Sequence, residues 1–356
     1  MGYVVSSGQV SSGISLVGDY MYVLGGGTAN ETAVNEAGSM CVEVGGTANE
    51  TAVNGSGSMN VAGTANNTVV NGSGLRGTGK LRIQAGGTAN STTVNSGGSM
   101  CVDEGGAAEA TAVNDCGSMH VSGGGKADSV TVNGGGNVYV DAYGTADSIT
   151  VNGGGLLEVR KGGTANTIRE NGGSVQVADG ANVTFAANTF SGLLLSNDSA
   201  TLHSGTTANA VTVESGGKLF VYAGGTASGT IMNEGGDLYV SSGGTAAGTI
   251  SVGGGALPVG DVLYSLGLSE DNVLFLDISK SATLQSPQFP ESVPAPDAFA
   301  DDDAEPFAAA SALWDADAGF AGFTGPEVRD TALLSDADLL KFKPSTGEAA
   351  GMLAQG

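Results

Sequence analysis

The chain has 356 residues, 36 acidic and 12 basic side chains, a formal net charge of −24, 62 glycines and few aromatic residues. An acidic balance of this size argues against nucleic acid and anionic membrane as partners, because their phosphates would be repelled. No run of 18 apolar residues occurs, so no segment reads as a membrane-spanning helix.

The first eight residues, Met1 to Gly8, have no basic start and no apolar centre, so they do not read as a secretory leader. Export by another route, or origin as a piece of a longer gene product, is the expectation.

A repeat dominates the chain as far as Gly255. The alanine of a recurring Gly-Gly-Thr-Ala string falls at Ala29, Ala48, Ala65, Ala89, Ala108, Ala127, Ala146, Ala165, Ala208, Ala227 and Ala246, mostly 19 residues apart. The wide gap between Ala65 and Ala89 holds an inserted loop, Leu75 to Gly79. The gap from Ala165 to Ala208 holds two degenerate coils, with apolar runs at Val183 to Phe185 and Leu193 to Leu195. With a partial first coil this makes about twelve coils.

Each repeat contains short runs with period two, such as Thr51-x-Val53 and Met59-x-Val61, separated by glycine and asparagine. That is the pattern of strands joined by tight turns, and no helical period accompanies it. Aligned repeats give columns. One runs Met21, Met40, Met59, Leu81, Met100, Met119, Val138, Leu157, Val175, Leu219, Leu238. Two positions later comes Val23, Val42, Val61, Ile83, Val102, Val121, Val140, Val159, Val177, Val221, Val240. The column between is mixed, from Tyr22, Cys41, Asn60, Arg82, Cys101 and His120 to Tyr139, Glu158, Gln176, Phe220 and Tyr239. Neighbouring side chains on a strand point to opposite faces, so the uniform columns should face a core and the mixed one solvent.

A third inward column is Val34, Val53, Val70, Val94, Val113, Val132, Val151, Val213 and Met232. An asparagine follows most of these valines, from Asn35 and Asn54 to Asn152 and Asn233. Asparagine tolerates the left-handed corner conformation and can hydrogen-bond from coil to coil as a ladder. The expected fold is all-β: a parallel β-solenoid over residues 1–255, with coils about 4.8 Å apart.

Composition changes near residue 256. All eight prolines lie at Pro258 or beyond, and the alternating columns stop. Residues 256–280 read as one or two strands capping the solenoid, since a bare sheet edge invites aggregation. Residues 281–356 read as an acidic, proline-containing, partly disordered tail, with weak helix candidates at Ala308 to Trp314 and Ser335 to Phe342.

Candidate chemistry is sparse. Cys41 and Cys101 share the outward column three coils apart, about 14 Å, too far for a disulfide; Cys116 sits at a turn. These three read as chance surface thiols. Arg82, His120 and Glu158 share that column at two-coil intervals of about 10 Å and do not converge. Asp315-x-Asp317-x-Gly319 faintly resembles a calcium loop, but Pro326 stands where the closing glutamate belongs. The sequons, such as Asn30-Glu31-Thr32, Asn49-Glu50-Thr51 and Asn90-Ser91-Thr92, follow from the repeat and do not read as glycan sites. No catalytic, cofactor-binding or metal-binding residue is expected, and no cofactor.

The consensus Gly-Gly-Thr-Ala-Asn-x-Thr-x-Val-Asn-x-Gly-Gly-Ser-Met-x-Val resembles the repeat of the diffuse-adherence (AIDA-type) autotransporter adhesins. The resemblance implies a right-handed β-helical passenger at the outer-membrane surface or outside the cell, not an enzyme. It implies adhesion to host-cell or bacterial surface glycans or proteins, or self-association. It also implies modification of outward serines and threonines by a heptosyltransferase. A secreted spacer or matrix repeat, or a glycan-active β-helix enzyme, are the alternatives.

Overall fold

A computed structural model describes residues 2–73 and 77–248, and the backbone of strands Ile250–Ser251, Ala256–Val259, Val262–Leu268 and Leu274–Lys280. The acidic tail and its helix candidates, Leu75 and Arg76 of the inserted loop, and the Asp315 motif lie outside the described residues.

One coil consists of three short strands. In the third coil these are Ser39–Val42, Thr47–Asn49 and Ala52–Asn54. The chain then returns to Ser58–Val61, which lies parallel to Ser39–Val42 with Met59 beside Met40 and Val61 beside Val42. Such pairings build a ten-stranded parallel sheet running from Gly2–Val5 to Ser174–Val177 and a sixteen-stranded sheet formed by the other two strands of each coil. Three further strands, Ser199–Leu202, Lys218–Val221 and Asp237–Val240, continue the first sheet's role. The described residues thus form thirteen coils rather than twelve. The first coil, in which Ser11 lies beside Ala29, is a whole one.

The methionine/leucine column is buried throughout, as are Val34 to Val151 in the third column. The alanine that marks the repeat is itself core, fully or nearly buried from Ala29 to Ala227. A fourth inward column, Thr32, Thr51, Thr68, Thr92 and Thr111, gives way to Val130, Ile149 and Ile168.

Three expectations need correction. Val177, an expected core position, is 36% exposed, because the ladder on that sheet stops at its strand. Cys101 and Phe220 point outward but are buried, Cys101 beneath Asp103 and Ser122 and Phe220 against Tyr239. Cys41 is half-buried, so only Cys116 is an exposed thiol. Finally, the asparagines after the valines keep negative φ, and the left-handed residues are others. Glu31, Glu50, Asn67, Ser91, Ala110, Ser129, Ser148, Thr167 and Ala210 stack at one corner with φ between 51° and 56°. Glycines such as Gly45 and Gly154, and residues such as Ala37 and Cys116, occupy the other two.

The rod is two stacks rather than one. Asn182–Phe185 pairs only backward, with Val183 beside Ala165, and Asn188–Ser191 pairs only forward, with Phe190 beside Ala208. The surplus residues of this stretch therefore supply an extra strand. The core divides at the same place, into Val5 to Val175 and Leu195 to Val240. After the last parallel coil, Ala256–Val259, Val262–Leu268 and Leu274–Lys280 form an antiparallel meander, and Val259 lies beside Val240.

Candidate functional surface

Each coil presents its outward residues at intervals of about 4.8 Å along the rod, one strand spacing, so side chains on successive coils touch. On the broad second sheet this makes two polar columns. Threonines at Thr28, Thr47, Thr64 and Thr88 are flanked by Asn30, Asn49, Asn66 and Asn90. The Nδ2 of Asn49 donates to Oδ1 of Asn30 at 2.8 Å, and Asn66 and Asn90 repeat the contact at 2.9 and 2.8 Å. A second ladder runs from Asn35 through Asn54, Asn71, Asn95, Asn114, Asn133 and Asn152 to Asn171, with bonds of 2.7–3.0 Å. The expected amide ladder is present, and it is double.

On the first sheet, Arg82, Cys101, His120, Tyr139 and Glu158 lie on five successive coils. Within this column alone Arg82, His120 and Glu158 stay apart, as the spacing requires. Two positions further along the chain, just past the end of each strand, lies a second outward column that the repeat alignment passes over, with Asp103, Ser122, Asp141 and Arg160. Arg82 Nε donates to Asp103 Oδ2 at 2.6 Å. Arg160 donates to both Glu158 Oε1, at 2.9 Å, and Asp141 Oδ1, at 2.7 Å. Its guanidinium lies 5.2 Å from the centre of the Tyr139 ring, which stacks on His120 at 4.6 Å.

Burial sets the titration of this face. It holds His120 below the ordinary histidine value; the Asp141 charge opposes this and the Arg160 charge adds to it. It raises Tyr139, with Glu158 helping. Burial also pulls on Arg160, but the hydrogen bond to Glu158 and the charge of Asp141 outweigh it and leave the guanidinium more basic than usual. Cys101 is pushed up to about 12, chiefly by burial, so it stays a thiol. Both carboxylates beside Tyr139 are bonded by Arg160, and the ring faces of His120 and Tyr139 cover each other. The cluster is a polar surface whose charged groups and rings engage one another. Among the described residues no three His, Cys, Asp or Glu side chains gather in a way that could hold a metal ion.

The junction of the two stacks carries the most unusual chemistry. One coil beyond Val151, the inward valine position is occupied by Glu170, which is fully buried. Its carboxylate accepts from the Thr201 hydroxyl at 2.6 Å and from the backbone N–H of His203 at 2.7 Å, and meets His203 Nδ1 at 2.7 Å. Thr201 Oγ1 in turn accepts the N–H of Val175 at 2.8 Å. His203 is stacked between Phe185 and Tyr222 at 4.3 and 4.4 Å. Burial, and then the Glu170 charge, push Tyr222 up to about 12. The signal was in the sequence: a glutamate stands in phase with the valine column. The carboxylate's partners Thr201 and His203 belong to the second stack, so these bonds tie one stack to the other.

The sequence profile of a family described as "AIDA: Adhesin of bacterial autotransporter system, probable stalk" matches residues 71–117 and 203–255. A hyper-glycosylated fragment of TibA, its glycosylation catalysed by TibC, is 30% identical, over 72% of this chain and 91% of that one. The chain belongs to the AIDA-type family of autotransporter adhesin stalks. The assignment rests on the shared repeat sequence; the superposition on the TibA fragment has a TM-score of 0.48. No curated protein matches the chain. The AIDA-type profile covers coils in both stacks, and the interruption at Glu170 falls between its two matched segments.

Proposed function

We propose that the chain is a non-enzymatic display stalk of a bacterial surface or secreted adhesin. It acts by adhesion to surface glycans or proteins of host or bacterial cells, or by self-association. The observation that carries this reading is the outward surface: a threonine column beside two asparagine ladders and an ion-paired sheet face, periodic over many coils, with the asparagines and the charged groups bonded to one another. Such a surface offers length, rigidity and repeated polar contact; a site for bond-breaking would instead gather free acid and base groups at one place. The meander at 256–280 fits a cap, because antiparallel strands end the parallel stacking. Exposed corner hydroxyls, such as Ser91, Ser129 and Ser148, are the candidates for sugar attachment, as the TibA fragment carries it.

Beads coated with the purified chain, mixed with one another and with cells, test the reading. Clumping or cell capture above an albumin control supports it. Inert beads together with release of reducing sugar from a polysaccharide panel would replace it with the enzymatic alternative.

A further inference from the structure

The outward face of the first sheet changes character along the rod. From Arg82 to Arg160 it is polar and ion-paired, but on the first three coils it is apolar. Tyr20, Tyr22 and Leu24 alternate outward along one level, Val4 lies beside Tyr22 on the preceding coil, and Val44 lies beside Gly25 on the following one. All five side chains are at least 37% exposed. Neighbouring coils are about 4.8 Å apart, so the five form one continuous patch. The tyrosines are fixed in place. The Tyr20 ring lies over Gly2, where any side chain would collide with it. Its centre is 5.8 Å from that of Tyr22 at an interplanar angle of 69°, an edge-to-face pair. An apolar patch on an otherwise polar surface marks a contact site.

We propose that this patch docks a protein partner whose contact surface has an apolar centre and a basic rim. The charges around the patch dictate the rim. Residues 1–75 contain Asp19, Glu31, Glu36, Glu43 and Glu50 but no lysine or arginine. Asp19 adjoins Tyr20 in the chain, and the exposed Glu43 lies beside Leu24 on the next coil. Opposite charge on the partner steers it to such a patch, and like charge turns it away. A second copy of this chain fits poorly for that reason, since a two-fold contact through the patch would set these carboxylates against one another. An anionic lipid surface meets the same repulsion. A sugar fits poorly too, because Val4, Leu24 and Val44 offer its hydroxyls no hydrogen bonds. Ordered tyrosines suit a protein contact: aromatic anchors dominate interface energetics, and rings already held in place lose little freedom on binding. The proposal deepens the adhesive reading and rests on it only for the setting, a protein on another cell's surface.

The test titrates the whole chain into a dye-labelled amphipathic peptide of leucine and lysine, its leucines along one face, and reads fluorescence anisotropy. The same peptide with glutamate in place of lysine is the charge control. Saturable binding of the lysine peptide is expected, with the glutamate peptide at least about tenfold weaker. Replacing both rings, Tyr20→Ser with Tyr22→Ser, should weaken the lysine peptide about tenfold or more, as loss of aromatic anchors does. Glu43→Gln should weaken it about two- to threefold, as loss of a rim charge does. Tyr143→Ser, which removes an 83% exposed tyrosine on a later coil, should bind as the parent does. That comparison separates the patch from the general pull of an acidic chain on a cationic peptide. Both patch tyrosines point outward, so the double variant is expected to fold; should it not, Leu24→Ser takes its place. No saturable binding, binding undiminished by loss of the patch side chains, or preference for the glutamate peptide would overturn the proposal. So would a patch-dependent dimer in sedimentation, or patch-dependent binding to phosphatidylcholine vesicles in place of the peptide. Because the probe is a soluble peptide, the result stands apart from clumping: inert beads with the peptide still bound at the patch would refute adhesion and leave the patch assigned.

Discussion

The Glu170 carboxylate lies 2.7 Å from Nδ1 of His203, thirty-three residues away on the other stack, with no exposure of its own. Removing one partner of a buried hydrogen-bonded group typically costs about 1–3 kcal/mol, because the remaining group is left unsatisfied. His203→Ala should therefore destabilise the junction strongly and also empty the ring stack between Phe185 and Tyr222. With a core on each side, calorimetry should resolve two melting transitions where the parent has coupled ones. Glu170→Val combined with His203→Tyr restores the valine column and the stack, and should be more stable than His203→Ala. A His203→Ala variant that melts like the parent would show that the pair does not hold the stacks together.

The buried threonine column offers a stabilising change. The hydroxyls of Thr32, Thr51, Thr68, Thr92 and Thr111 have no hydrogen-bond partner among the described residues. Val130, Ile149 and Ile168 fill the same column without that cost. Thr51→Val should raise stability by about 1 kcal/mol, the lower end of the cost of an unmet hydroxyl. Denaturant midpoints check it; a loss of stability would mean that the hydroxyl is bonded.

Asn114 stands in the middle of the long ladder, donating to Asn95 at 2.8 Å and accepting from Asn133 at 2.7 Å. Asn114→Ala breaks both bonds, at about 1 kcal/mol each. Urea melts should show a loss of about 2 kcal/mol, whereas Asn137→Ala, outside the ladder, should lose less. Equal losses would show that the ladder adds nothing to stability.

Acid should weaken the rod through His120. Its pKa in the fold lies below the ordinary 6.5, mainly from burial. A depressed histidine contributes stability that is full above 6.5 and is lost as the pH falls through the lower folded value. His120→Phe keeps the stack on Tyr139 and removes the proton. Its midpoint should fall less than the parent's between neutral and mildly acid pH. Identical pH dependence in the two proteins would contradict the burial assigned to this ring.

The columns made the solenoid, its core and its ladder legible, because a stacked repeat writes each inward position many times over. Met59 is inside for the same reason as Met40 and Met100. Contacts that depend on neighbours across the face could not be read. Cys101 is outward in phase but covered by Asp103 and Ser122, which belong to another column. The convergence of Asp141, Glu158 and Arg160 escaped for the same reason: side chains meet diagonally as well as along a single column. The left-handed corner at Glu31 and Glu50 escaped because glutamate carries no preference for that conformation. Glu170 was readable, as a break in a valine column, but its partners His203 and Thr201 lie beyond the degenerate stretch where the register lapses.

The parallel register itself can be tested with a native thiol. Asn60 lies beside Cys41 on the next coil, so their Cα atoms should be about 4.8 Å apart, inside the roughly 4.4–6.8 Å that a disulfide spans. Burial raises the Cys41 thiol, so a strong oxidant such as diamide is appropriate. Ser58, also outward and two positions earlier, lies beside Ser39 instead. After oxidation and peptide mapping, Asn60→Cys should form an intramolecular disulfide with Cys41, and Ser58→Cys should form none. A bond from Ser58→Cys and none from Asn60→Cys would contradict the stacked register on which the columns, the ladders and the junction all depend.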